Sequence, residues 1–587
     1  MSTVTPLVTE LEQRVQQAMT AALGPEASGA DPLIRPSDHA DFQANGVLPL
    51  AKPMRANPRE LAAKVAEALP PDDLIAARAV SGPGFLNLTV TDTSILRQVA
   101  RRATDPRLGA PTTDAGSVTV IDYSQPNIAK EMHVGHLRST IIGDALVRCL
   151  EFEGAKVIRQ NHLGDWGTQF GMLIQYLFEH QDLRKHDDRE SGSEAISRLN
   201  ALYRDAREKF DSDPEFADRA RRRVVALQAG DADTIAGWQE IVGESKIYFN
   251  DVYERLGVLL TDDDAVGESF YNPYLHDVAE DLERRGVAVR SDGALCVFFD
   301  DVQGPDGNPV PLIVQKSDGG FGYAATDLAA IRYRVGTLGA TRLLYVVDAR
   351  QALHFRMVFE AARRAGYLPD DVEAVHVSFG SVLGPDGRPF KTRAGGTVRL
   401  ISLLDEAVDR ARVTVAEKSP ELDAATLDQR AREVGIGAVK YADLATSRTR
   451  DYIFDVDRMV SLQGNTGVYL QYAHARIRSI LRKRPPGAAQ ATISDELALE
   501  PAERRLAMLL DEFATVVAAV RDELEPHRLC NYLYALAQAY TDFYENCPVL
   551  KAPTEGIRDN RVVLCQLTGD TLKLGLELLG IAAPESL

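Results

Sequence analysis

Cysteine, tryptophan and long apolar runs are all scarce in this sequence of 587 residues. The five cysteines (Cys149, Cys296, Cys530, Cys547 and Cys565) are an odd, scattered set without a Cys-x-x-Cys pair. That usage points to reduced, mostly buried thiols in a cytosolic protein rather than a disulfide framework. Apolar stretches such as that from Phe513 to Val520 fall far short of the ~20 residues of a membrane span. The opening Met1–Pro6 has no basic start followed by an apolar core, so no secretory leader is expected. Positive charge is in deficit too, with 66 Lys and Arg against 85 Asp and Glu, a net of −19. Taken whole, that balance argues against a polyanionic partner, but net charge does not say where the charges sit. What is present is ordinary globular composition, 45% hydrophobic and 26% charged, at a length for about three to five domains.

Residues 1–113 mix helical periodicity (Leu7, Leu11, Val15 and Met19, then a helix over Glu60–Leu69) with an alternating strand at Phe85–Val90. The Pro- and Gly-bearing stretch Ala103–Gly116 reads as a linker. Residues 114–400 form a second unit. Strand-like Val118–Tyr123 and Lys156–Asn161 alternate with helical Gly135–Gly154 and Thr168–His180, which argues for a parallel α/β sheet. A charged helical insertion follows over about 182–245, and strands are expected again at Ala294–Phe299, Leu312–Gln315, Arg342–Val347 and Val372–Val377. From about Leu400 strands are expected to stop, leaving a helical connector at 401–457 and an α-helical bundle at 458–587. Helices are expected there at Glu503–Leu524, His527–Cys547 and Arg558–Leu579, the first carrying a continuous apolar stripe from Leu506 to Val520.

The segment richest in chemistry is Ser124-Gln-Pro-Asn-Ile-Ala-Lys-Glu-Met-His-Val-Gly-His136, between the first strand of the sheet and its helix. Ligands of open α/β sheets bind at that end of a strand, and the following helix N-terminus favours phosphate. Two histidines three apart, with Gly135 allowing close backbone approach, suit one wall of a phosphate site. A metal site is the weaker reading, because no third ligand has sensible local spacing. A histidine pair of purely structural use is the bland alternative.

His133-Val-Gly-His136 resembles the HIGH motif of class I aminoacyl-tRNA synthetases. The flanking Ser124–Lys130 and Leu137–Asp144 are similar to arginyl-tRNA synthetases of bacterial type. The similarity continues, in the family's order, through Asn161–Gly171, Tyr323–Asp327, Asp348–Phe355, Phe390–Gly396 and Tyr469–Arg476. The resemblance implies an α+β N-terminal domain touching the tRNA D-loop, a Rossmann-like catalytic domain with helical insertions, and an all-α anticodon-binding domain. It implies ligation of L-arginine to tRNA(Arg) through an arginyl-adenylate, with ATP as substrate, Mg²⁺ accompanying ATP, and bound tRNA needed for the first step. A cytoplasmic monomer without membrane attachment is the matching expectation. His133, Gly135 and His136 would hold ATP, the histidines stabilising charge at the α-phosphate.

The second ATP element departs from the class pattern KMSKS, reading Arg388-Pro-Phe-Lys-Thr-Arg-Ala-Gly395. Thr392 stands where the second lysine usually sits, with Lys391 and Arg393 beside it, and the resemblance offers Lys130 as the substitute charge. A P-loop reading fails because no glycine directly precedes Lys391.

A guanidinium carries five donors and a fixed charge, so its pocket needs a well-placed carboxylate. Asp327, with Tyr323 one helical turn earlier, is the first choice, and a helix-starting cap after Thr326 is its bland alternative. By resemblance Gln351 joins this pocket, while Ser124, Asn127 and Asn161 take the α-amino and carboxylate end. Trp166 reads as packing and Asp165 as a fixer of its loop; His354 is near by motif position without a defined task.

Across Thr446–Arg484 eight basic side chains face three acidic ones, a local excess that suits tRNA. Arg448, Arg450, Tyr469, Tyr472 and Arg476 are the expected contacts, by phosphate pairing and base stacking. Phe85 and Asn87 match the family's D-loop contacts, with strand packing an equal alternative for Phe85. A catalytically dead tRNA-binding paralogue is disfavoured by the joint presence of both histidines, Tyr323, Asp327 and Gln351. A small-substrate nucleotidyltransferase is disfavoured by length.

Overall fold

The computed structural model describes residues 4–37, 39–180, 192–303, 307–388, 390, 398–485 and 489–587. The N-terminal unit packs the helix Leu7–Leu23 and the Asn57-capped helix Pro58–Glu67 on an antiparallel sheet. Its strands are β1 (Ile34–Pro36), β2 (Phe42–Ala44), β3 (Ile75–Ser81) and β4 (Phe85–Val90), in the order β1-β2-β4-β3. Leu7, Leu11, Val15, Ala18 and Met19 form one buried stripe, as the 3.6-residue period dictates.

The central unit contains β5 (Val118–Asp122), β6 (Lys156–Gln160), β7 (Val289–Ser291), β8 (Ala294–Val297), β9 (Leu312–Gln315), β10 (Arg342–Tyr345) and β11 (Glu373–His376). Four of them make a parallel sheet in the order β11-β10-β5-β6, while β7, β8 and β9 make a separate antiparallel sheet. The strand order reverses between β5 and β10, so their carboxyl-end loops open a crevice there. Helix Val134–Phe152 runs back across the sheet almost wholly buried, and Gly143 leaves no room for a Cβ against the Tyr123 ring.

Helices Gly192–Ser212, Pro214–Gln228 and Ala232–Leu256 form the insertion, running beyond the expected end near 245. Helices Leu400–Lys418 and Ala424–Leu444 lead to the C-terminal bundle. The long helix expected over Glu503–Leu524 is two helices, Pro501–Asp511 and Phe513–Glu523. The break has a purpose: the Asp511 carboxylate accepts from the Arg102 guanidinium at 2.7 Å and from the Leu7 N–H at 2.8 Å. All three groups are buried, and with Arg504 paired to Asp41 and Asp92 they dock the N-terminal unit on the bundle. Strands do not stop at Leu400, since Tyr452–Ile453 pairs in parallel with Val382–Leu383. All five cysteines are free and buried. Among the described residues no helix is long and apolar enough to cross a membrane.

Candidate active site

The loop leaving β5 is strained and tightly held. Ser124, Gln125 and Ala129 have φ of 76°, 53° and 61°, a region that costs a non-glycine residue roughly 1 kcal/mol or more. Beneath it, Arg334 bonds to Asp122 at 2.7 Å and to Gln160 at 2.8 Å, all buried. The Tyr253 hydroxyl joins Ser124 Oγ (2.8 Å) and Asn161 Nδ2 (2.9 Å), and Asn161 Oδ1 accepts from the Gln125 N–H. Thr140 Oγ1 also donates to Ser124 Oγ, and Ser139 Oγ accepts the Ser124 N–H. Ser124 and Asn161 are therefore buried members of a network that fixes the loop, whereas Asn127 is exposed at its surface.

His133 is the N-cap of helix Val134–Phe152, its Nδ1 accepting the Gly135 N–H at 3.0 Å. His136 Nδ1 in turn accepts the His133 N–H at 3.1 Å, closing a capping box built from two imidazoles. A Cβ on Gly135 would stand 2.8 Å from His133 Cε1, so this approach requires glycine. With Nδ1 accepting, each neutral ring must carry its proton on Nε2. Burial, aided by the charge of Arg350, lowers the pKa of His133. Burial, with His133 and Lys130 nearby, pushes His136 down to about 3. Both are thus uncharged at neutral pH, with ring centroids 4.0 Å apart. Among the described residues neither Nε2 has a hydrogen-bond partner. The result is two fixed N–H donors beside a helix N-terminus.

The other wall of the crevice is acidic. Asp327 Oδ2 lies 2.6 Å from His354 Nε2. Glu268, at the start of helix Glu268–Arg284, has its pKa raised to about 8 by burial and by the charges of Asp165 and Asp327. Tyr323, opening helix Tyr323–Gly336, is 74% exposed and feels the Glu268 charge. Gln351 is exposed at the N-cap of helix Ala352–Arg364, next to Arg350, which pairs with Asp348. Asp165 is buried and accepts from Ser269 N–H and Oγ; Trp166 packs edge-on against Trp238. The packing and loop-fixing readings of those two residues match this arrangement. Glu268 was missed because nothing around it resembles a motif, and a first-turn acid is ordinary on any helix. Lys130 places its ammonium 5.0 Å from the Tyr203 ring centroid. Lys391, Thr392 and Arg393 lie outside the described residues.

Comparison with known proteins decides what family this crevice belongs to. Residues 103–456 match the description "tRNA synthetases class I (R), catalytic domain", 9–90 match "Arginyl tRNA synthetase N terminal domain", and 470–587 match "DALR anticodon binding domain". The chain is 62% identical over 586 residues to the arginine–tRNA ligase of Frankia casuarinae, covering 99% of each. It belongs to the class I arginyl-tRNA synthetase family. Two solved arginyl-tRNA synthetases share its architecture. That of Plasmodium falciparum has a TM-score of 0.84 at 29% identity over 100% of both chains. That of Thermus thermophilus has 0.81 at 27%, covering 99% of this chain and 100% of the other.

For an arginyl-tRNA synthetase the remaining question is where tRNA meets the protein. Tyr469, Tyr472 and Arg476 all line one groove of about 560 Å³ in the bundle, with Arg482, Lys418 and Tyr540. Arg476 is exposed and stacks 4.4 Å from the Tyr544 ring centroid. Arg448 is not presented to solvent: its guanidinium bonds to the carbonyls of Ser378 (2.7 Å) and Leu524 (2.9 Å), joining catalytic unit to bundle. Arg450 is exposed nearby. Others of the basic run are tied down as well, Arg478 by Asp570 and Glu585, and Arg482 by the Glu585 carbonyl. In the N-terminal sheet Phe85 is half-buried, and Asn87 is buried between Gln43 and Ser81, bonded to each at 2.9 Å.

Proposed function

We propose that the crevice between the β5 and β10 loops joins L-arginine to ATP, and then to tRNA(Arg). In the first step an arginine carboxylate oxygen bonds to the α-phosphorus while the bond to the β-phosphate bridge breaks, giving arginyl-adenylate and pyrophosphate. In the second, a terminal ribose hydroxyl of tRNA attacks the arginyl carbonyl and AMP leaves. Positioning and charge stabilisation carry such phosphoryl chemistry, with little covalent help from protein. His133 and His136 supply two neutral Nε2–H donors to the α-phosphate oxygens, at a helix N-terminus already suited to anions. Asp327, Glu268 and the Tyr323 hydroxyl receive the guanidinium, while Gln351 and the surface of the Asn127 loop take the other end of arginine. Lys130 and the loop bearing Lys391, Thr392 and Arg393 supply cationic charge toward ATP.

Among the described residues no three His, Cys, Asp or Glu side chains stand together to hold a metal ion. The Mg²⁺ of this reading travels with ATP and neutralises its phosphates. The groove of Tyr469, Tyr472 and Arg476 receives unpaired anticodon bases, and the face around Phe85 and Asn87 the D-loop. Work as a monomer in the cytoplasm completes the reading, and five free, buried thiols suit a reducing compartment.

The observation that carries this reading is the capping box of two imidazoles, which leaves both Nε2–H groups unclaimed at the N-terminus of helix Val134–Phe152. ATP–pyrophosphate exchange with His136→Ala, in the presence of tRNA, tests it. The expected loss in kcat is about 10²- to 10³-fold, with the KM for arginine little changed. An unchanged kcat would remove His136 from the mechanism.

A further inference from the structure

The stretch from Ala129 to His133 is gripped from two sides, and the grips meet at Glu131. On one side stands the first helix of the insertion. Its Ser197 Oγ donates to Glu131 Oε1 at 2.8 Å, and its Asn200 Nδ2 to Oε2 at 3.2 Å. The last helix of the insertion adds Ser245 Oγ and the Tyr248 hydroxyl, which accept the N–H groups of Ala129 and Met132. On the other side Arg399 Nε lies 3.0 Å from the same Glu131 Oε2. The Arg399 backbone pairs with His133, and the Leu400 N–H bonds to the Met132 carbonyl at 3.0 Å. The Glu131 side chain is 13% exposed against 58% for Arg399, so the carboxylate is the fixed member of the pair. A carboxylate held by two hydrogen-bond donors and one guanidinium on its two oxygens keeps one geometry, and it lies two positions from the His133 donor.

We propose that Glu131 is a positioning residue for adenylate formation. It joins the helical insertion and the Arg399 segment to the signature loop, and thereby sets the direction in which His133 offers its Nε2–H. The proposal rests on His133 and His136 acting on ATP. Displacements of about 1 Å at a reacting group cost as much as 10²-fold in rate, so a residue that touches no substrate can still govern kcat.

The test is ATP–pyrophosphate exchange with tRNA present, on Glu131→Ala, Glu131→Gln and the double variant Ser197→Ala/Asn200→Ala, beside His136→Ala. Glu131→Ala is expected to lower kcat about 10- to 100-fold while the KM for arginine stays within about twofold. Glu131→Gln is expected to recover part of that loss, because its amide oxygen still accepts from Ser197. A wild-type kcat for Glu131→Ala with an impaired His136→Ala overturns the proposal alone. Wild-type kcat for both overturns the reading of the histidines with it. Should Glu131→Ala lose its folded melting transition, the double variant decides, since it keeps the Arg399 pair: a severalfold fall supports the proposal, and an unchanged kcat overturns it.

Discussion

At the scale of single residues, the site works by controlling which groups are charged. Both signature histidines are neutral donors, whereas Glu268 is a carboxyl kept largely protonated near pH 7 by burial and by its acidic neighbours Asp165 and Asp327. A guanidinium entering this cluster favours ionised Glu268 and so lowers its pKa from about 8. The sign follows: arginine binding releases a proton below pH 8, and the KM for arginine falls as pH rises, by up to about tenfold per unit. Calorimetry in two buffers of different ionisation enthalpy should show that proton release near pH 7, and Glu268→Gln should abolish it. An arginine KM flat from pH 6 to 8.5 would contradict the assignment. Asp327 stands out in the sequence because it sits in a recognisable run with Tyr323. Glu268 and His354 do not, since their nearness to Asp327 arises from helices separated by dozens of residues that only the fold brings together.

At the scale of elements, the decisive feature is the first turn of helix Val134–Phe152, where side chains of the signature motif cap the backbone that presents them. Gly135→Ala would place a Cβ within contact distance of the His133 ring alone. That ring can swing away, so the melting temperature should stay close to wild type while kcat for exchange falls at least about tenfold. Equal losses of stability and activity would contradict this account. Strand and helix periodicity made most elements readable, including all four parallel strands. The break at Glu512 was invisible because the apolar stripe runs through it unbroken; the buried Arg102 and Leu7 amide that use Asp511 lie 409 and 504 residues away in the sequence. Arg448 misled for a related reason, as a basic side chain in a basic run gives no sign that two carbonyls already hold it.

At the scale of the whole molecule, a chain of net charge −19 handles a polyanion by distribution rather than by sum. Several arginines of the Thr446–Arg484 run are paired internally, whereas Arg450, Arg458, Arg476, Arg482 and Lys483 are exposed, Arg476 and Arg482 in the aromatic groove that Tyr469 and Tyr472 also line. The N-terminal sheet is docked on the same bundle by Arg102, Arg504 and their carboxylate partners, so the two units stand in fixed relation. We propose that one crevice selects arginine by its guanidinium and activates its carboxylate. Aminoacylation of tRNA(Arg) with arginine, citrulline and lysine in parallel tests it most directly. The expected kcat/KM for arginine is about 10⁴-fold above that for either analogue, because neither reproduces the planar set of guanidinium donors against Asp327 and Glu268. Charging of citrulline or lysine within about tenfold of arginine would contradict it.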